Sequence, residues 1–233
     1  MARPAACLFD LDGLLLDTEP LHAEAWQQAA SHFGRPLAPQ ELMALRGRRR
    51  IDCADQVLRW IAETDHRNSE PGPGTNVDRD ALLAVRQPIA EALLIQAQPM
   101  DGARELVERC AALQVPMALA TSSSRAAVAL KAAPHPWLER IAVRVHGDDP
   151  ELRQGKPAPD VFLLAAERLG VESRHCWAFE DSPAGAASAL AAGCLVHVLP
   201  PDHLAEQQRN AAYPGIADQQ FLGSLNEMLE RLT

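Results

Sequence analysis

The sequence has 233 residues, of which 47% are hydrophobic and 23% are charged, as in an ordinary soluble globular protein. This length is enough for one large domain, or for a core domain that carries a smaller inserted one. The formal net charge of −9, without any long basic stripe, argues against a general nucleic-acid binder.

The cysteines and the apolar runs indicate the compartment. The five cysteines are odd in number, widely spaced and without a C-x-x-C pair, which favours free thiols in a reducing environment. No stretch approaches the roughly 18 apolar residues of a membrane span. Removal of a signal peptide would delete the opening strand. We therefore expect a cytoplasmic protein that does not associate with membranes.

The first predicted element is a buried strand over residues 5–9, a short apolar run. Two aspartates, Asp10 and Asp12, follow it directly. Carboxylates at the carboxyl end of such a strand lie where open α/β sheets place their active sites. Two carboxylates this close share a cation, share a proton or repel each other. Alone, the pair is equally typical of an ordinary turn after a strand.

Helical periodicity without a strand candidate follows these aspartates. We expect Thr18 to be the N-cap of a helix that ends near Gly34. Further helices are predicted over residues 39–45, 51–62 and 79–95, with a loop at residues 66–74. This pattern predicts an all-helical inserted domain over residues 17–98, between the two parts of a core domain, residues 1–16 and 99–233.

Strand and helix patterns alternate after the insert, as in βαβ units with a mainly parallel sheet. Strands are predicted over residues 115–120, 141–145, 175–179 and 194–199. Helices are predicted over residues 103–113, 125–132, 160–169 and 183–192, with a final amphipathic helix over residues 221–232. The predicted fold class is α/β, a Rossmann-like parallel sheet flanked by helices, with the inserted all-helical domain.

Polar residues follow the later strands as well. Hydroxyl groups begin at Thr121 at the entrance of a helix, an arrangement that suits phosphate oxygens. Glu180 and Asp181 follow another strand, and Lys156, one of only two lysines, lies in a loop between the two segments. Singly, each has an ordinary explanation as a helix cap or a solvated charge. Together with the first aspartate pair, they favour a catalytic site at one edge of the sheet.

With these residues the sequence resembles the haloacid dehalogenase (HAD) superfamily of magnesium-dependent phosphotransferases. All four family motifs occur in order, namely Asp10-x-Asp12, Thr121, Lys156 and Glu180-Asp181. The helical insert resembles the cap domain of subclass I, the group that contains β-phosphoglucomutase and many sugar-phosphate phosphatases. The resemblance covers nearly the whole chain.

The resemblance implies roles for a set of core residues. Catalysis would involve Asp10, Asp12, Thr121 and Lys156, and phosphate would contact Gly13 and the Ser122 amide. Mg²⁺ would be held by Asp10, the Asp12 backbone carbonyl and Asp181, with support from Glu180 through water. By the family's pattern, Asp10 attacks phosphorus and Lys156 helps to keep it ionised. Asp12 protonates the leaving alkoxide and then deprotonates the attacking water.

The cap is expected to select the substrate. By resemblance to the mutase cap, Arg46 and Arg50 would contact a sugar or its phosphate. His22, on the first cap helix, fits a helix surface as well as a substrate contact. The cap contains no lysine, which argues against a phosphonatase and weakens the mutase interpretation.

The leading hypothesis is a Mg²⁺-dependent phosphatase that hydrolyses a small phosphomonoester, such as a sugar phosphate, through an aspartyl-phosphate. Two alternatives remain open. One is a hexose-phosphate mutase that resembles β-phosphoglucomutase, and the other is a phospho-receiver signalling module, a class of much shorter proteins. We expect a monomer that binds a small phosphorylated metabolite, and neither nucleic acid nor a membrane.

Overall fold

The computed structural model describes residues 3–45, 50–65, 77–201 and 204–232. The chain divides into two compact units, one formed by Met1–Asp17 with Gln98–Thr233 and the other by Thr18–Ala97. They are called the α/β unit and the helical unit below. The loop expected at residues 66–74 lies outside the described residues.

The α/β unit contains the sheets found in the described residues. Its strands are, in chain order, β1 (Ala6–Phe9), β2 (Leu16–Asp17), β3 (Gln98–Pro99), β4 (Met117–Ala120), β5 (Val143–Val145), β6 (Cys176–Glu180) and β7 (Leu195–Val198). Five of them form one sheet in the order β5-β4-β1-β6-β7, and every neighbouring pair is parallel. β2 and β3 form a separate antiparallel pair.

Helices occur in both units. They are, in chain order, α1 (Glu19–His32), α2 (Pro39–Leu45), α3 (Arg50–Asp65), α4 (Arg79–Leu94), α5 (Ala103–Ala112), α6 (Arg125–Ala132), α7 (Asp160–Arg168), α8 (Pro183–Ala191), α9 (Glu206–Ala212) and α10 (Glu227–Arg231). The first four make up the helical unit. The predicted α/β fold with a parallel sheet is therefore confirmed. Among the described residues, no helix is both long and apolar enough to cross a lipid bilayer.

β1 lies at the centre of the large sheet, and all four of its residues are buried. Parallel sheets are covered on both faces, so their central strands are continuously apolar rather than alternating. In the register of this sheet, Phe9 lies opposite Leu119 of β4 and Phe179 of β6. The three strands therefore end at the same level, and the residues that follow them meet at one edge.

The helical unit has an apolar core of its own. α1 packs along α4. The buried core includes Trp26, Leu37, Leu45, Val57, Ile61 and Leu82. No strand occurs among the described residues of this unit. The helical character expected for the insert is thus present in residues 18–45, 50–65 and 77–97.

Thr18 does not cap α1 in the way the sequence predicts. It occupies the N-cap position, but its side chain makes no capping hydrogen bond. Its backbone is already helical, with φ −97° and ψ −17°, whereas a capping side chain works from an extended backbone. Its carbonyl accepts a hydrogen bond from the His22 amide at 2.9 Å.

The end of the chain also differs from the single helix predicted over residues 221–232. Phe221 forms a β-bridge with Val198, and the Leu222 amide donates to the Val198 carbonyl at 2.8 Å. Helix α10 begins only at Glu227. Backbone pairing with the end of β7 therefore takes precedence over the helical periodicity of this segment. Helix α9, which precedes it, was not predicted.

Candidate active site

The site is built at the edge where β1, β4 and β6 end. Asp10 follows β1, Thr121 follows β4, and Glu180 is the last residue of β6, with Asp181 next in the chain. All four are buried. The amides of Asp10 and Thr121 still donate to carbonyl oxygens of neighbouring strands, each at 3.1 Å. The sheet itself, rather than a loop, therefore sets the positions of these two residues.

One ammonium group joins two of the carboxylates. Lys156, from the segment between β5 and α7, contacts Asp10 Oδ1 and lies 2.5 Å from Glu180 Oε1. Burial alone would lower the pKa of Lys156, but the charges of Asp10 and Glu180 outweigh burial and raise it. The lysine therefore remains protonated and can neutralise negative charge.

Asp10 has a strongly perturbed acidity. Burial raises the pKa of Asp10 to about 7, and the negative charges of Glu180 and Asp12 act in the same direction. The Lys156 ammonium lowers this pKa but does not cancel the effect of burial. The expectation that Lys156 keeps Asp10 ionised thus holds only in part. A cation bound by the carboxylate would favour its charged form further.

Three carboxylates form a group that could hold a metal ion. Asp10, Glu180 and Asp181 each offer one oxygen, and these atoms all lie within 4.8 Å of one another. All three residues are buried. Carboxylate oxygens are the ligands that Mg²⁺ and Ca²⁺ prefer. The Asp12 side chain is not in this group, and the resemblance expects Asp12 to contribute only its backbone carbonyl.

Two glycines make room for these carboxylates. Gly13 has a φ of +80°, and a Cβ at this position would lie 2.2 Å from Asp181 Oδ2. A Cβ on Gly185, in the first turn of α8, would lie 2.0 Å from the carboxyl carbon of Glu180. A side chain at either position would therefore require the neighbouring carboxylate to move. The structure places Gly13, expected among the phosphate contacts, against the Asp181 carboxylate.

Asp12 has a partner that sequence reasoning missed. Lys131, in the last turn of α6, places its Nζ 2.5 Å from Asp12 Oδ1 and 2.6 Å from Oδ2. Its side chain is 1% exposed. Ser123 Oγ donates to Asp12 Oδ2 at 2.7 Å. A lysine within an otherwise apolar helical stretch, in a chain with two lysines, was the signal available in the sequence.

The charges at this edge do not balance. The described residues here carry four carboxylates, which Lys131 and Lys156 oppose with two ammonium groups. With all four carboxylates ionised, the formal sum is four negative and two positive charges, which leaves −2. A divalent cation would neutralise this excess. The charge balance therefore fits the metal-binding group described above.

The hydroxyl segment after β4 is ordered by local hydrogen bonds. Thr121 Oγ1 accepts from the Ser123 amide at 3.1 Å. Ser124 Oγ caps α6 by accepting from the Ala127 amide at 3.3 Å. Ser122 is exposed. The structure thus brings Thr121 to the same edge as Asp10, next to the positive end of the α6 dipole.

The predicted cap residues lie in the helical unit. His22 is on α1, and its Nδ1 lies 3.1 Å from Arg86 Nη2. Arg86, which sequence reasoning missed, is 5% exposed and stacks over the Trp26 ring at 4.2 Å. Arg50 is exposed on α3 and donates to a glutamine of α4 at 3.0 Å. Arg46 lies outside the described residues. Substrate contacts of these side chains stay predictions.

The sequence matches the model of a known family. The model of the haloacid dehalogenase-like hydrolases matches residues 4–193, which is well over half of the chain. The chain belongs to the haloacid dehalogenase-like hydrolases.

The chain is similar in sequence to named phosphatases and in structure to a solved HAD hydrolase. "Probable pseudouridine-5'-phosphatase" from Drosophila melanogaster is 35% identical over 210 residues, which cover 88% of this chain and 86% of that protein. Fructose-1-phosphate phosphatase YqaB from Escherichia coli (strain K12) is 32% identical over 195 residues, which cover 82% and 94%. The crystal structure of a HAD hydrolase of family IA, variant 3, from Entamoeba histolytica superposes with a TM-score of 0.75 at 27% identity, covering 95% and 94%.

These similarities confirm the family and the class of enzyme expected from the sequence. This haloacid dehalogenase-like hydrolase is a hydrolase of phosphoric monoesters. The family match favours this class over the signalling receiver.

Proposed function

We propose that this hydrolase is a Mg²⁺-dependent phosphatase that releases phosphate from a small phosphorylated sugar or sugar-like metabolite through an aspartyl-phosphate. The position of Asp10 carries the proposal. Its carboxylate lies at the end of the central strand, in contact with Lys156 and within a group of carboxylates suited to a metal. A carboxylate held beside cations is equipped to attack an anionic phosphate.

The relatives support the substrate class, and the helical unit supports the reaction type. Two of the relatives are named for pseudouridine-5'-phosphate and fructose-1-phosphate, both phosphate esters of small polyhydroxylated compounds. The two lysines of the chain, Lys131 and Lys156, both lie in the α/β unit. A cap without lysine favours a phosphatase over the mutase, whose cap carries a phosphate-contacting lysine.

In the first step, a carboxylate oxygen of Asp10 forms a bond to phosphorus, and the ester P–O bond breaks. The leaving alkoxide takes a proton from Asp12, three residues after the end of β1. The product of this step is an aspartyl-phosphate at Asp10 and a free alcohol.

In the second step, water attacks phosphorus and gives its proton to Asp12. The bond between Asp10 and phosphorus then breaks, which restores both carboxyl groups and releases phosphate. Thr121, the Ser122 amide and Lys156 hold the equatorial oxygens and stabilise the negative charge of both transition states.

The metal has one role in this scheme. When bound, Mg²⁺ screens the repulsion between the phosphate and the carboxylates. Asp10 and Asp181 would hold it, together with the Asp12 backbone carbonyl, and Glu180 would support it through water. The unbalanced charge of −2 and the spacing of the three buried carboxylates support this ligand set.

The proposal also takes the enzyme to be a cytoplasmic monomer that binds neither nucleic acid nor a membrane. The five cysteines are free and buried, which fits a reducing compartment. The core domain is taken as residues 1–16 and 99–233, and the cap as residues 17–98.

Substitution of Asp10 tests the nucleophile. Asp10→Asn should abolish phosphate release, because an amide cannot replace the attacking carboxylate, while the melting temperature stays close to that of the wild type. Asp12→Ala should lower kcat by about 10²–10⁴-fold, the usual contribution of general acid–base catalysis. Substantial turnover by Asp10→Asn would exclude Asp10 as the nucleophile.

A substrate panel tests the reaction type. Sugar and nucleotide monophosphates are incubated with the enzyme and Mg²⁺, and both free phosphate and isomerised ester are measured. We expect free phosphate from several sugar phosphates. Phosphate retained in a rearranged hexose would establish the mutase instead.

A further inference from the structure

We propose that Lys131 is a positioning residue that fixes the carboxylate of Asp12 for proton transfer. This inference rests on the proposed function, in which Asp12 is the general acid and base. Lys131 is then a second lysine of the site, with a role distinct from that of Lys156. Lys156 contacts Asp10 and Glu180, whereas Lys131 contacts Asp12.

The contacts of Lys131 account for all its hydrogen-bonding capacity. A lysine ammonium has three N–H donors and no acceptor. Its Nζ lies 2.5 Å from Asp12 Oδ1, 2.6 Å from Asp12 Oδ2 and 2.8 Å from Ser123 Oγ. Three donors therefore face three oxygens. No donor remains for the substrate, so Lys131 acts through Asp12.

Ser123 gives Asp12 a second hydrogen-bond partner beside Lys131. Its Oγ donates to Asp12 Oδ2 at 2.7 Å, so this oxygen accepts from two groups while Oδ1 faces the ammonium. Contacts on both oxygens fix the rotation of the carboxyl group as well as its position. The Asp12 side chain nevertheless stays 19% exposed, against 1% for Lys131. The carboxylate is thus held by its neighbours and remains accessible.

Burial makes this contact more than a surface ion pair. A buried ammonium is retained only when its charge is paired and its donors are satisfied. The partner of Lys131 is a carboxylate 119 residues away in the sequence, so the pair also ties α6 to the segment after β1. Proton transfer needs the acid within hydrogen-bond reach of the leaving oxygen. A displacement of about 1 Å at such a position can lower the rate by about a hundredfold.

A positioning role predicts an effect that depends on the leaving group. Para-nitrophenolate departs without a proton, whereas phenolate is more basic and gains more from an acid. Lys131→Met should therefore slow single-turnover cleavage of phenyl phosphate, measured with Mg²⁺, at least about tenfold more than that of para-nitrophenyl phosphate. The steady-state kcat should fall while KM changes little.

Two further variants separate positioning from folding. Ser123→Ala removes one contact to Asp12 and leaves the ion pair, so it should show the same substrate dependence with a smaller loss. Val128→Ala is the matched control, because Val128 is buried on the same helix one turn before Lys131. It should affect both substrates equally. If Lys131→Met does not fold, as judged by circular dichroism, Ser123→Ala decides the question.

Asp12→Ala distinguishes failure of this inference from failure of the proposed function. A loss in Asp12→Ala that depends on the leaving group supports the acid role of Asp12. If Asp12→Ala shows it and the Lys131 and Ser123 variants lose activity equally on both substrates, Lys131 is structural and the inference is overturned. If Asp12→Ala itself shows equal losses, the acid role of Asp12 fails, and the role of Lys131 fails with it.

Discussion

Gly13 turns the backbone directly after the aspartate pair, and its missing side chain is needed for two separate reasons. Its φ is +80°, a conformation that costs other residues about 1–2 kcal/mol. In addition, a Cβ would lie 2.2 Å from Asp181 Oδ2, a proposed metal ligand. Gly170 has a similar φ of +70° but nothing within 4 Å of a Cβ. Substitutions at these two glycines therefore distinguish the effect of backbone strain from the effect of the clash with Asp181.

We predict that Gly13→Ala raises the Mg²⁺ concentration needed for half-maximal activity by at least about tenfold, because the new methyl group displaces the Asp181 carboxylate. Gly170→Ala should lower stability by about 1 kcal/mol and leave this concentration unchanged. Activity titrations with Mg²⁺, alongside thermal melts, measure both quantities. Equal Mg²⁺ requirements in the two variants would show that Asp181 does not contribute to metal binding.

The two lysines show what single residues in the sequence can and cannot reveal. Lys156 could be assigned because its loop and its neighbours form a family motif. Lys131 could not, since its partner Asp12 is 119 residues away and no local pattern joins them. Only the parallel sheet, which brings the ends of β1 and β4 to one level, places the two side chains together.

Helix α8 links the stability of an element to the geometry of the site. Ser182 Oγ caps α8 by accepting from the Gly185 amide at 3.1 Å, and it donates to Glu180 Oε2 at 3.2 Å. Asp78 caps α4 in the helical unit by accepting from the Ala81 amide at 2.8 Å. Both are N-caps, but only Ser182 also contacts a carboxylate of the site.

We predict that Ser182→Ala and Asp78→Ala each lower the free energy of unfolding by about 1 kcal/mol, the usual value of an N-cap. Ser182→Ala should also lower kcat several-fold, because Glu180 loses a hydrogen-bond partner. Urea denaturation and steady-state kinetics give the two values. If both variants keep the wild-type kcat, the contact between Ser182 and Glu180 has no part in the reaction.

Elements could be predicted where sequence pattern and tertiary structure agree. The buried strands of the parallel sheet have continuous apolar runs and polar ends, and their positions agree with the structure to within a few residues. Thr18 and the segment at residues 221–232 differ from the prediction. Thr18 already has a helical backbone and its side chain does not cap α1, while pairing of Phe221 with β7 takes precedence over the helical periodicity of residues 221–232.

At the scale of the whole molecule, one buried histidine connects folding to pH. His197 lies in β7 between the rings of Trp177 and Phe179, and among the described residues neither of its ring nitrogens has a hydrogen-bond partner. Burial, with a smaller effect of the Arg231 charge, lowers the pKa of His197 from its ordinary 6.5 to about 4. Protonation is therefore easier in the unfolded chain than in the folded one.

Between these two pKa values the unfolded state binds more protons than the folded state, so the free energy of unfolding rises with pH. The contribution of His197 is lost as the pH falls from 6.5 towards 4. The loss from this one group is on the order of 3 kcal/mol. We predict that His197→Phe flattens the pH dependence of the free energy of unfolding in this range. Urea denaturation at several pH values measures it. An unchanged slope would show that His197 is not the group responsible.

At the scale of the whole enzyme, the central proposal is that Asp10, placed by the strands, loops and lysines around it, carries the phosphoryl group. Trapping that group tests it most directly. Asp12→Ala is mixed with para-nitrophenyl phosphate and Mg²⁺, because this leaving group needs no acid while hydrolysis of the intermediate needs a base. The mixture is quenched in acid, reduced with borohydride and digested for mass spectrometry.

Borohydride converts an aspartyl-phosphate to homoserine, so the modified residue can be located in the sequence. We predict homoserine at position 10, formed only when substrate and Mg²⁺ are present, and at no other aspartate. Release of para-nitrophenolate with an unmodified Asp10, or modification of another residue, would contradict the account.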